Sequence, residues 1–140
     1  MTSRVELPVA LADSVREHAR AAGPAECCGL IEGLRQGSVF RVTALHPARN
    51  LSANKDQFEI DPRDQFTAQR AARARGAEII GCYHSHPNGS AESSAADLAG
   101  AGEENFLWLI AAGESLRAFV YSDGAFTGLV TGADWVTSSE

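Results

Sequence analysis

Apolar residues recur along this chain at two different periods, and the switches between them predict its elements. Leu7, Leu11, Val15 and Ala19 stand four apart, with Arg16, Glu17 and Arg20 off that stripe, so residues 8–22 read as a helix. Pro8 suits a first turn, and Gly23-Pro24 stops the helix. Residues 26–34 (ECCGLIEGL) are an apolar run too short for a helix and read as a buried strand. Gln36-Gly37 turns it back into a second strand over 38–45. A polar loop over 46–56 and a short strand at Phe58–Ile60 follow. Asp61 caps the next helix, Pro62 opens it, and Gly76 ends it in a left-handed conformation. Residues 78–86 (EIIGCYHSH) read as a strand ended by Pro87, and 94–101 as a short helix opened by Ser94. Three apolar segments, 106–112, 116–122 and 125–130, are split by Gly113-Glu114 and Asp123-Gly124 and predict a meander. Thr137–Glu140 reads as a frayed polar tail. The order predicts an α/β (α+β) fold whose mixed, largely antiparallel sheet is flanked by helices.

The totals narrow the function. A length of 140 residues fits one domain, 1–140, and buries enough surface to fold without metal or disulfide staples. A metal in such a chain is functional rather than structural. The net charge of −6 argues against a nucleic-acid partner. No apolar run is long enough to span a membrane, and no basic-then-apolar leader opens the chain. The three cysteines, Cys27, Cys28 and Cys82, form no disulfide framework and point to a reducing compartment. The expectation is a cytoplasmic protein; its oligomeric state is not legible.

Two of the four histidines, His84 and His86, stand one residue apart at the end of an apolar run. On a strand they share a face, roughly 6.6 Å apart along the backbone. Asp97 returns after a loop holding the turn former Asn88-Gly89. Two histidines and a carboxylate form the ligand set of hydrolytic zinc sites, which leave one position open. The residues alone leave other readings open. Paired histidines on one strand face also occur simply as cleft residues, and Ser94 with Asp97 also fits a capping box. Cys82 shares the histidines' parity but lies ~13 Å of strand from His86, too far for one ion. It reads as a buried small residue.

His84-Ser85-His86-Pro87, then Ser94 and Asp97, resemble the motif of the JAMM (MPN+) zinc metalloproteases. Upstream, PAECCGLIEG is similar to the family's glutamate followed by Cys-Gly-Leu, and Arg49-Asn50 and FEIDP stand in the family's order. The resemblance covers nearly the whole chain. It implies a single JAMM/MPN domain of cytidine-deaminase-like architecture and a zinc-dependent peptidase or isopeptidase. His84, His86 and Asp97 would hold one zinc, Glu26 would be the general base, and Ser94 would help hold the oxyanion. Periodicity does not choose Glu26 over Glu32; only the motif match does, and Glu32 is then expected to be an exposed or partly paired carboxylate. Many relatives carry proline just before the motif serine, where this chain has Ser93.

The chain resembles the family's compact bacterial branch, without the insertions of the eukaryotic deubiquitinating members. The partner so implied is a small ubiquitin-like or sulfur-carrier protein, cleaved after its C-terminal Gly-Gly. Cys27 and Cys28 flank the expected base, so their oxidation would disturb it. Two competing readings are a zinc amidohydrolase acting on a small amide and a non-catalytic MPN-type interaction module. Activity on small amides alone would favour the first, and absence of zinc the second.

Overall fold

The computed structural model describes residues 3–54 and 56–129, and the backbone of Val136–Thr137. The elements are β1 (Arg4–Pro8), α1 (Val9–Ala22), β2 (Cys28–Gln36), β3 (Val39–Ala48), α2 (Pro62–Ala74), β4 (Glu78–Ser85), α3 (Ala95–Gly100), β5 (Phe106–Ala112), β6 (Ser115–Ser122), β7 (Ala125–Gly128) and β8 (Val136–Thr137). The strands form one mixed sheet in the order β7-β6-β5-β4-β2-β3-β1-β8. Pairing is antiparallel from β7 to β5 and through β4-β2-β3. It is parallel for β4 with β5, β1 with β3, and β1 with β8.

β1 is a strand that the periodicity of the first helix conceals. Leu7 extends the four-residue stripe, yet it precedes Pro8, and a residue before proline is pushed out of the α region. Val5 and Leu7 therefore alternate inward on a strand, fully buried, and the helix starts at Val9. This strand makes that end of the sheet parallel. Other boundaries also differ from expectation: β2 lies at Cys28–Gln36, two residues later than the expected 26–34. β3 runs on to Ala48, β4 ends one residue short of His86, and Phe58–Ile60 forms only an isolated bridge from Ile60 to Asn50. Val130 and residues 138–140 of the expected last strand and tail lie outside the described residues, while the backbone of Thr137 pairs in β8.

Apolar side chains pack on both faces of the sheet. On one face α1 supplies Ala12 and Val15 to a cluster with Leu7, Ile31, Tyr83, Leu107 and Leu109. On the other, α2 supplies Ala68 to a cluster with Leu30, Cys82, Phe106, Trp108 and Ile110. α2 starts where the sequence predicts: the Asp61 side chain accepts from the Arg63 amide and Pro62 opens the helix. Gly76 takes φ +74°, and Asp123-Gly124 take φ +54° and +78°, the pair of left-handed residues that a two-residue hairpin loop requires.

α3 connects the parallel neighbours β4 and β5. With only one turn and a half it depends on its N-terminal cap. Ser94 Oγ accepts from the Asp97 amide at 3.0 Å, and Asp97 Oδ2 accepts from the Ser94 amide at 2.9 Å. This reciprocal capping box carries Asp97 back to His84 at the end of β4.

Candidate active site

β4 leads the chain to His84, which is completely buried, and to His86 just past the strand's end. The His84 ring stacks on Phe58, with centroids 4.4 Å apart, and meets Trp108 edge-on at 5.7 Å. These two aromatic walls leave its Nε2 edge as the one that reaches polar neighbours. His84 Nε2 lies 3.0 Å from His86 Nε2 and 2.9 Å from Asp97 Oδ1, and His86 Nε2 lies 3.1 Å from Asp97 Oδ2. The structure thus gathers His84, His86 and Asp97 at one point.

Hydrogen bonding around the ligands supports a cation there. In neutral His86, Nδ1–H donates to the Ser90 carbonyl at 2.7 Å, which leaves the Nε2 lone pair facing a carboxylate oxygen and the other imidazole. Lone pairs so placed repel unless a proton or a metal cation lies between them. Donors about 2.0–2.1 Å from a tetrahedral zinc stand about 3.3 Å from one another, close to the separations found. The donor set of two imidazoles and a carboxylate is that of hydrolytic zinc sites, so the residues fit the group.

Electrostatics separate the members of the site. Burial lowers the pKa of His84, outweighing the upward pull of its hydrogen bond to Asp97. The hydrogen bond to Asp97 raises that of His86. Burial pushes Asp97 upward, but its bonds to His84, His86 and the Ser94 amide outweigh this and hold it well below the usual carboxylate range.

Glu26 lies just ahead of β2, 5% exposed, and lines a shallow cleft of about 300 Å³ with His86, Asn88 and Ser94. Its Oε1 is buried without a hydrogen-bond partner among the described residues. Burial pushes its pKa up to about 7, with the Asp97 charge adding to this and His86 opposing it. The structure brings Glu26 and Ser94 to the same cleft as the three clustered residues. It places Glu32 elsewhere, and the expectation of an exposed or partly paired carboxylate is corrected. Glu32 is 2% exposed and fully paired: Arg75 donates through Nε at 3.0 Å and Nη2 at 2.6 Å, and His46 Nε2 lies 2.8 Å away. The hydrogen bond from Arg75 holds its pKa below the ordinary value.

The cysteines are all free and buried. Cys82 stands apart from the clustered ligands, in the wall of a cavity of about 590 Å³ with Leu30, Phe58, Phe106 and Trp108 that borders Asp97. Burial raises the pKa of Cys27 and carries that of Cys28 up to about 12, which leaves little reactive thiolate.

Sequence reading gave no role to Phe58, Trp108, Ser85 or Asn50, although Ser85, Asn50 and Phe58 stand within the matched stretches. The two aromatics belong to other elements, and no spacing ties them to His84. Ser85 carries a signal only in its position between the histidines: its hydroxyl accepts from the Cys27 amide at 2.8 Å.

A sheet that delivers two histidines to its rim, a capped helix that returns a carboxylate to them, and a buried glutamate beside them define a site that could hold a metal ion. Residues 8–122 match the family described as prokaryotic homologs of the JAB domain, and the chain belongs to that family and is a JAB-type hydrolase. It is 36% identical over 114 residues to a desampylase of Haloferax volcanii, covering 78% of this chain and 81% of that protein. It is 30% identical over 125 residues to a probable TtuB-protein conjugate cleaving protease of Thermus thermophilus, covering 89% and 80%. In structure it resembles a Desulfitobacterium hafniense protein, with TM-score 0.82 and 28% identity over 97% of this chain and 93% of the other. Among the described residues no helix is long and apolar enough to cross a membrane.

Proposed function

We propose that this chain is a single-domain, zinc-dependent peptidase and isopeptidase that cleaves after the C-terminal Gly-Gly of a small ubiquitin-like or sulfur-carrier protein. The observation that carries the reading is the convergence of His84, His86 and Asp97 beside a buried glutamate, Glu26, whose Oε1 has no hydrogen-bond partner among the described residues. Zinc held by those three residues would supply Lewis acidity, lowering the pKa of a water and polarising a carbonyl.

The chain's own residues do the rest. Glu26 takes a proton from the attacking water and passes it to the leaving amine. With a pKa near 7 it can both accept and release that proton at neutral pH. Ser94 Oγ accepts from the Asp97 amide, so its own O–H stays free to donate to the developing oxyanion. Phe58 and Trp108 fix the His84 ring and exclude water behind it. The Ser90 carbonyl fixes the tautomer of His86.

The substrate class rests on the named activities of the relatives, a desampylase and a probable conjugate-cleaving protease. An extended tail can lie along such a cleft through main-chain hydrogen bonds. Glycines beside the cleaved bond bring the backbone close without a colliding side chain. The free, buried cysteines suit a reducing cytoplasm.

The test incubates zinc-loaded protein with a small ubiquitin-like carrier bearing a lysine isopeptide or a C-terminal cysteine after Gly-Gly, followed by mass. Cleavage is expected, and replacing the penultimate glycine by valine should block it. Rapid cleavage of the valine form, or cleavage of small amides alone, would overturn the substrate assignment.

A further inference from the structure

Glu26 raises a mechanical question. Its Oε1 has no hydrogen-bond partner, so its carboxylate must be held in the cleft chiefly by the backbone that carries it. That backbone lies outside the strand, because β2 begins only at Cys28. The peptide unit joining Glu26 to Cys27 is nevertheless bonded at both ends by side chains. Its carbonyl accepts from Asn50 Nδ2 at 3.1 Å, and its N–H donates to Ser85 Oγ at 2.8 Å. The Ser85 amide adds a third bond, to the Cys27 carbonyl at 3.2 Å.

Both side chains belong to the frame of the site. Ser85 sits between His84 and His86. Asn50 organises the loop whose Phe58 stacks on His84. Its Oδ1 accepts from the Ser52 and Glu59 amides, each at 2.9 Å, and its backbone bridges to Ile60. We infer that Asn50 and Ser85 are positioning residues for Glu26: they clamp the peptide unit behind it from two sides and tie the base to the same frame as the metal-ligating histidines. The inference rests on the reading of Glu26 as the general base. A base displaced by about 1 Å loses on the order of 10²-fold in rate, which is the size of effect such a clamp protects.

The variants separate the clamp from general folding. Asn50→Asp keeps an oxygen for the two loop amides and removes the Nδ2 donor to the Glu26 carbonyl, together with its longer bond to the Gln57 carbonyl at 3.3 Å. Ser85→Ala removes the acceptor for the Cys27 amide, and Ser85→Thr restores it. The experiment measures kcat and KM on a Gly-Gly isopeptide of a ubiquitin-like carrier, zinc per chain, and hydrogen exchange at the Cys27 amide. Asn50→Asp and Ser85→Ala should each lower kcat by about 10–100-fold, with KM and zinc content unchanged. Ser85→Thr should stay within about threefold of the parent. The Cys27 amide should be protected in the parent and in Ser85→Thr, and should exchange faster in Ser85→Ala.

The deciding comparison repeats the substitutions on a Glu26→Gln background. There Asn50→Asp and Ser85→Ala should change the residual rate by less than about threefold, because the group they position is gone. An equal loss on both backgrounds, or a loss confined to KM or zinc, overturns the positioning role while leaving the base in place. Full activity of Glu26→Gln itself would instead remove the base assignment and the clamp with it. A Cys27 amide that exchanges equally fast in the parent and in Ser85→Ala would contradict the clamp without reference to any substrate. If Asn50→Asp does not fold, the serine pair decides.

Discussion

Glu26 and Glu32 belong to the same apolar run, and their surroundings push them in opposite directions. Glu26 is desolvated without a partner, and its pKa rises from 4.5 to about 7. Between those values the folded chain binds more protons than the unfolded one, so this group lowers stability as pH rises through that window and keeps it lower above. In metal-free protein, Glu26→Gln should therefore melt higher than the parent at pH 8, with the gap closing toward pH 4.5, as followed by thermal melts. In zinc-loaded protein the same variant should lose ~10²–10⁴-fold in turnover and keep its metal. Glu32 has the reverse sign. Its depressed pKa contributes stability that is present above the unfolded value of 4.5 and is lost as pH falls through the lower folded value. Glu32→Gln should cost about 1–3 kcal/mol near neutrality and progressively less in acid, with kcat unchanged in the soluble fraction. Periodicity could not tell the two carboxylates apart, because the partners that define Glu32 lie in other elements: Arg75 just past α2 and His46 on β3.

At the scale of elements, β4 and α3 carry the site, and each is held by a specific local device. Behind β4, the Tyr83 ring lies directly over Gly29, where an added Cβ would stand 2.3 Å from the ring, and His18 Nδ1 lies 2.8 Å from its hydroxyl. Gly29→Ala should displace Tyr83 and cost about 1–3 kcal/mol in denaturant unfolding. α3 is so short that its cap decides its position. Ser94→Ala should lower turnover by ~10²–10³-fold through loss of the oxyanion donor. It should weaken zinc binding only ~10-fold, because the Ser94 amide still bonds Asp97. A zinc affinity that falls as far as turnover would show that Ser94 acts through Asp97 alone. Caps and turns were legible in the sequence, since Asp61-Pro62, Ser94 with Asp97, and Asp123-Gly124 each satisfy backbone groups locally. β1 was not, because Leu7 fits a helical stripe as well as a strand. The roles of Asn50 and Phe58 were not either, because their partners are distant in sequence.

At the scale of the whole molecule, two apolar clusters sandwich the sheet. His84 is buried against Phe58 and Trp108, and Trp108 belongs to one of those clusters, so the site is built directly onto the core. The fold class was legible because alternating elements of ordinary length imply layered packing. The grouping of His84, His86 and Asp97 was legible because these residues form a motif. The shape of the cleft was not, because it is made by loops that bond to one another across the chain. A chain of 140 residues buries enough surface to fold unaided, so a metal held at the site should add function without being needed for folding. The most direct test of this account is zinc bound per chain, measured by elemental analysis after dialysis against zinc and then buffer. One ion is expected for the parent and for Glu26→Gln, and none for His84→Ala or Asp97→Ala, with all four chains folded by circular dichroism. A folded parent that holds no zinc under those conditions would contradict the account.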